Sequence, residues 1–280
     1  MRMVAVVLAG GSGHRFGGDL PKQLRVLAGK TLVEHCVAAF EQAPGVDAIT
    51  VVMPPALAAQ ARELFTPAGG YGKVSSVIGG GVARTDSTRC AIAALSAAHG
   101  DADCNVLFHD AARPLIDQRI IADCVEALGT DQAIGVAVPS SDTIVEVSEG
   151  VVTGMPPRHA LARCQTPQGF RLSVIRRAYQ LADADDTFGL LPATDDCGIV
   201  LRYLPDVPVR LVAGSERNIK ITYPDDLHVA EALLRQPAGP APGRGPFAPI
   251  SAPELELRER RPPASRLPGQ RSATAPSEPG

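Results

Sequence analysis

Glycines followed by two well-spaced cations are the first chemistry in this chain. Ala9-Gly10-Gly11-Ser12-Gly13-His14-Arg15-Phe16 follows the apolar run Met3–Leu8, and Pro21-Lys22 come next. Glycines let the backbone approach a phosphate and aim several N–H groups at it. Arg15 and Lys22 can then neutralise phosphate charge, one as a planar fork and the other as a point charge. Lys22 stands out because it is one of only four lysines in a chain whose Lys and Arg total 27. Two commoner phosphate loops do not fit: no Walker pattern is present, and a dinucleotide fingerprint begun at Gly11 and Gly13 meets Phe16 at its third glycine.

Further clusters carry related chemistry. His109-Asp110-Ala111-Ala112-Arg113-Pro114 follows the apolar run Val106–Phe108. An acid at the carboxyl end of a strand is placed to hold a hard cation such as Mg²⁺ beside phosphates, and Asp110 is the expected ligand. Arg113 can meet a substrate phosphate. Gly79-Gly80-Gly81-Val82-Ala83-Arg84-Thr85-Asp86-Ser87 opens a helix; its backbone can approach a flat base, Ser87 can read a base edge, and Arg84 and Asp86 can pair to brace the loop. In Asn218-Ile219-Lys220-Ile221-Thr222-Tyr223-Pro224, Lys220 has no obvious structural role and Thr222 is the expected helix cap. Thr166-Pro167-Gln168 reads as turn chemistry, with Arg158 before it and Thr194-Asp195-Asp196 after it.

These clusters need elements to hold them. Up to about residue 136 the chain alternates strands (Val4–Leu8, Ile49–Val52, Val74–Ile78, Val106–Phe108, Ile134–Val138) with helices (Leu32–Gln42, Leu57–Phe65, Ser87–Ala98, Arg119–Leu128). Short continuous apolar strands between amphipathic helices imply an α/β fold with a mostly parallel sheet covered on both faces. Ligands of such sheets bind at the carboxyl ends of the strands, where the glycine loop sits. Thr31 and Glu34 have the spacing of a capping box. Residues 139–158 break the rhythm: Thr143–Val147 and Val151–Thr153 flank Ser148-Glu149-Gly150 and predict a β-hairpin that must lean on its own domain or on a second copy. Helices at Val174–Ala182, near Asp195–Leu201 and at Pro224–Leu234, and a strand at Val209–Val212, complete a domain over 1–236. Residues 237–280 are about a quarter proline and read as a disordered tail.

Composition narrows the function. A net charge of −3 argues against a bulk nucleic-acid binder. No apolar run approaches the ~20 residues of a membrane span, and the N-terminus lacks the features of a secretion signal. Six scattered cysteines, without C-x-x-C, read as core residues in a reducing cytoplasm rather than as a zinc site.

L-A-G-G-S-G-x-R-F…P-K-Q, G-G-G…R-x-D-S, H-D-A-A-R-P, S-D-T, T-P-Q and N-I-K-x-T-x-P-x-D-L occur here in the order seen in 2-C-methyl-D-erythritol 4-phosphate cytidylyltransferases, and the chain resembles that family over about residues 3–235. The resemblance implies a Rossmann-like nucleotidyltransferase fold with a protruding hairpin arm. It implies transfer of CMP from CTP to methylerythritol phosphate with release of pyrophosphate, in the non-mevalonate route to isoprenoid precursors. It also implies a homodimer interlocked through the arm. Carried over by position, Arg15 and Lys22 would stabilise charge on the α-phosphate, and Arg158 and Lys220 would position methylerythritol phosphate. Thr143, Arg113 and Thr166 would line that pocket, with arm residues reaching in from the partner. Ala9, Gly10, Gly11, Gly13, Gly81 and Ser87 would hold CTP, and Asp110 would hold Mg²⁺. The sequence departs from the family pattern at His14, Val82 and Pro157. A ribitol 5-phosphate cytidylyltransferase is the nearest alternative. A NAD-dependent oxidoreductase lacks its third glycine here, and a non-catalytic sensor would have lost Lys22, Arg15 or Asp110.

Overall fold

The computed structural model describes residues 1–10, 21–100, 102–190, 193 and 195–236. Gly11, Gly13, His14 and Arg15, and the segment 237–280 read as a disordered tail, lie outside the described residues. The described residues belong to the first of two units, Met1–Phe247; the second is Ala248–Gly280.

In chain order the elements are β1 (Met3–Leu8), β2 (Val26–Leu27), β3 (Lys30–Thr31), α1 (Leu32–Gln42), β4 (Ala48–Met53), α2 (Ala58–Leu64), β5 (Val74–Gly79), α3 (Arg84–His99), β6 (Asn105–Asp110), α4 (Gln118–Ala127) and β7 (Ala133–Pro139). There follow β8 (Glu146–Ser148), β9 (Val151–Gly154), β10 (Ala162–Arg171), α5 (Leu172–Asp183), α6 (Asp196–Tyr203), β11 (Val209–Ala213) and α7 (Asp225–Arg235). Seven strands form one sheet in the order β11-β7-β10-β6-β1-β4-β5. β1, β4, β5 and β6 run parallel, as their two-face burial requires. One core lies under α1, α2 and α4 (Phe40, Leu107, Ile120), the other under α3, α5 and α6 (Phe108, Phe170, Ile175).

The largest departure from the sequence reading is β10. Thr166-Pro167-Gln168 is no turn but the middle of a ten-residue strand, antiparallel to both β6 and β7 in the body of the sheet. Proline normally argues against a central strand. Here the pairing with β7 shifts register between Cys164 and Gln168, so the proline falls where the ladder is already interrupted.

Helix ends follow local chemistry, with one correction. The Thr31–Glu34 capping box is present in both directions. Asp117 caps α4 through the Ile120 N–H at 2.8 Å. Thr222 does not cap the last helix. The Asp226 carboxylate reaches back instead to the N–H groups of Thr222 and Tyr223, because a carboxylate can accept both while the Thr222 hydroxyl turns to the Lys220 carbonyl. A small third core of Leu27, Leu32, Ile221 and Ala230 clamps the β2–β3 hairpin to this C-terminal segment.

The predicted hairpin is β8–β9, a separate two-stranded sheet. Its valines face solvent: Val147 is 60 % exposed and Val151 64 %. Among the described residues no helix is long and apolar enough to cross a membrane.

Candidate active site

The register of the sheet gathers the glycine segments on one edge. Leu8 at the end of β1 pairs with Val52 of β4 and with Asp110 of β6, and Met53 pairs with Gly79 at the end of β5. Gly10, Gly79–Gly81 and Asp110 therefore share the carboxyl edge, where ligands of such sheets bind.

On one side of that edge lies a backbone-lined cradle. Ala9 is tied to β4 by its N–H on the Val52 carbonyl at 2.8 Å. The Ser87 hydroxyl is buried with no hydrogen-bond partner. A Cβ added at Gly10 would stand 2.5 Å from Ser87 Oγ, and one added at Gly80 2.6 Å from it. A side chain at either position would press on Ser87 Oγ, and an orphaned buried hydroxyl beside them is the kind of group a bound ligand would satisfy. Gly81 packs against Asp86 in the same way. Asp86 does not pair with Arg84 as the sequence predicted. It caps the start of α3 through the Ala83 N–H and pairs with Arg89, since Arg84 is drawn to two more deeply buried carboxylates.

On the other side lies a charged network. Asp110 accepts Arg84 Nε on Oδ1 at 2.9 Å and Lys220 Nζ on Oδ2 at 2.7 Å. Burial alone would raise the carboxyl pKa, but the Arg84 and Lys220 charges outweigh it and hold Asp110 well below the usual carboxylate range. This revises the sequence expectation for Asp110. Both oxygens are held by cations. One carboxylate already shared by two cations does not fit a protein-held Mg²⁺ site, because the metal would sit against Arg84 and Lys220.

The strand-to-loop turn after Asp110 is locked from within. The Asp110 N–H donates to Thr166 Oγ1 at 3.1 Å, and that hydroxyl meets His109 Nδ1 at 3.1 Å. His109 Nε2 lies 3.0 Å from the Arg113 carbonyl, to which it must donate, so Nδ1 accepts from Thr166 and the ring is neutral. Burial drives its pKa down to about 4. Arg113 donates to the carbonyls of Asn218 at 2.7 Å and Cys164 at 3.2 Å, joining β10 to the Lys220 segment. Arg113, Cys164, Gln165, Ile219 and Lys220, with the ion pair Arg163–Glu216, line a cleft of about 310 Å³. Lys22 sits beside the same segment, its Nζ on the Ile221 carbonyl at 2.7 Å.

Of the sequence candidates, the structure thus gathers Lys22, Asp110, Arg113, Thr166 and Lys220, with Ala9, Gly10, Gly81 and Ser87 on the same edge. Thr143 and Arg158 are elsewhere. Both are exposed on the arm and joined to each other at 3.1 Å, and among the described residues no hydrogen bond links them to the cleft. Sequence reasoning named Asp196 but not its place, and missed Tyr179; the two meet at 2.7 Å behind Arg84. The paired acids Asp195-Asp196 were the available signal: one caps α6 through the Gly198 N–H, and the other is buried.

Comparison with known proteins identifies the family. Residues 3–236 match the family described as 2-C-methyl-D-erythritol 4-phosphate cytidylyltransferase. The protein of that description from Thermobifida fusca is 52 % identical over 241 residues, covering 84 % of this chain and 94 % of the relative. The crystal structure of the Thermus thermophilus enzyme superposes with a TM-score of 0.62 at 30 % identity, covering 82 % of this chain and 98 % of that one. A bifunctional ribulose 5-phosphate reductase/CDP-ribitol pyrophosphorylase from Haemophilus influenzae is 37 % identical over 83 % of this chain and 48 % of its own length. The chain belongs to the 2-C-methyl-D-erythritol 4-phosphate cytidylyltransferase family.

Proposed function

We propose that the chain transfers CMP from CTP to 2-C-methyl-D-erythritol 4-phosphate. A phosphate oxygen of the acceptor bonds to the α-phosphorus of CTP, the bond from that phosphorus to the bridging oxygen breaks, and pyrophosphate leaves. The attacking oxygen is already anionic, so no strong general base is needed, and catalysis rests on positioning and charge stabilisation. In this reading Ala9, Gly10, Gly81 and Ser87 hold the nucleotide. Lys22 leaves the Ile221 carbonyl for the α-phosphate, joined by Arg15. Arg113 and Lys220 hold the acceptor phosphate in the cleft, and Thr166 braces the turn behind them. The observation that carries the reading is the meeting of Lys22, Lys220, Arg113 and Asp110 on one strand edge beside the Ser87 cradle.

The same reading makes the arm a dimer contact. Val147, Val151, Val152 and Met155 are exposed apolar groups on a hairpin that carries Thr143 and Arg158, so a partner's arm would bring that pair to the cleft. Six free cysteines are in keeping with a cytoplasmic location. Ribitol 5-phosphate is the second candidate acceptor, favoured by the Haemophilus influenzae relative. The test is pyrophosphate release from CTP with each acceptor in turn. Turnover with methylerythritol phosphate alone is expected, and turnover with ribitol 5-phosphate alone would replace the acceptor.

A further inference from the structure

Behind Lys220 runs a line of alternating charge that the transfer chemistry itself does not use. Lys220 Nζ holds Asp110, Asp110 holds Arg84 Nε, and Arg84 Nη1 holds Asp196 Oδ2 at 2.8 Å. Asp196 is fully buried at the start of α6 and fixed from three sides. Its Oδ1 accepts the Tyr179 hydroxyl from α5 at 2.7 Å, and its N–H donates to Gln168 Oε1 of β10 at 3.1 Å. Gln168 is held in turn by the Cys197 N–H at 3.2 Å and by its own Nε2 on Asp195 at 2.8 Å. The end that meets the cleft is a lysine whose side chain is 41 % exposed, and the other end, Asp196, is fully buried.

We propose that Asp196 is a positioning residue for the acceptor phosphate, acting on Lys220 through Arg84 and Asp110. The physical reason is the valence of the guanidinium. With Asp196 charged, Arg84 must divide its fork between two carboxylates, which leaves Asp110 Oδ2 open to Lys220. With an amide in place of the Asp196 carboxylate, the fork is free to turn onto Asp110 and take both oxygens, the geometry Arg and carboxylate prefer. Lys220 then loses its anchor and the charge centre that meets the phosphate moves. Arg84 Nη2 is buried without a hydrogen-bond partner, so the fork has a free donor for that change.

The inference rests on Lys220 serving the acceptor, and the test separates the two ideas. Asp196→Asn is nearly isosteric and keeps an acceptor for Tyr179. We expect it to lower kcat/KM for methylerythritol phosphate about 10- to 100-fold, the scale of a misplacement of about 1 Å, with KM for CTP changed less than about twofold. In a Lys220→Met background the same substitution should cost less than about twofold more, because its route is already cut. A purely structural role predicts instead that the two losses multiply and that KM for CTP rises with them. Tyr179→Phe, which leaves the Asp196 charge in place, should cost less than about threefold. If Asp196→Asn does not fold, Arg84→Lys takes its place, since lysine lacks the planar fork that holds Asp110 through Nε and Asp196 through Nη1. Multiplying losses, or wild-type kinetics in a folded Asp196→Asn or Arg84→Lys protein, overturn the proposal. A Lys220→Met enzyme with full activity would instead overturn the role of Lys220 in the acceptor site.

Discussion

The strand-edge network and the β8–β9 arm solve opposite problems. In the network, polar groups are buried and answer one another: Asp110, Arg84, Asp196 and Lys220 alternate in charge, and His109 and Thr166 close the turn. Buried charge is tolerable only when paired, so this region is complete within one chain. In the arm, apolar groups are exposed and none of the described residues covers them. A two-stranded hairpin is marginal by itself, so this region needs a surface from elsewhere. The contrast divides the molecule into a half that the chain finishes alone and a half that a second copy would finish.

Breaking the network should have the largest effect. Lys22→Ala is expected to lower kcat by about 10²–10³-fold or more, the scale of losing a charge-stabilising donor, with the thermal transition unchanged. Pyrophosphate release at wild-type rate would remove Lys22 from the reaction. Gly10→Ala attacks the other wall of the site. Its Cβ would press on Ser87 Oγ, so KM for CTP should rise about tenfold or more with folding retained; an unchanged KM would place the nucleotide elsewhere.

Breaking the arm should act through assembly. Val147→Asp with Val151→Asp puts charge on the exposed apolar face. Sedimentation is expected to show monomer, with kcat/KM down about 10-fold or more because Thr143 and Arg158 no longer reach a neighbour's cleft. Monomer with full activity would make the arm dispensable to chemistry.

The pH dependence of stability sharpens the comparison further, because the network holds two strongly displaced groups. His109 has its pKa lowered from 6.5 to about 4. A depressed histidine stabilises the fold fully above its unfolded value, and that contribution is lost as pH falls from about 6.5 towards 4. Its scale is on the order of 3 kcal/mol. Asp110, also depressed, acts in a lower window, below its ordinary 3.8. Denaturant midpoints should therefore fall between pH 6.5 and 4 in the wild type and flatten in His109→Asn; parallel curves would show that the ring is not buried neutral. The smallest effect is expected from removing residues 237–280, which should leave kcat within about twofold.

Much of the site was readable because the sheet does the gathering. A parallel sheet brings the ends of β1, β5 and β6 to one edge whatever lies between them, so Gly10, Ser87 and Asp110 could be grouped from the order of strands alone. Lys220 was visible as an oddity, a rare lysine without a local role. Its partner was not, because Asp110 lies 110 residues away. Arg84 was assigned to the wrong carboxylate for the same reason: Asp86 lies one residue beyond its neighbour Thr85, while Asp196 is 112 residues off and lies next to it in space.

Local chemistry determined the helices, their caps at Thr31 and Asp195, the parallel strands and the exposed valines of the arm, since each depends on side chains within a few residues. Tertiary structure alone decided that Thr166-Pro167-Gln168 is a central strand, that Asp110 answers two cations, and that Asp196 stands behind them. Those outcomes depend on pairing across the sheet and on which charges burial forces together, and neither is encoded in the spacing of one segment.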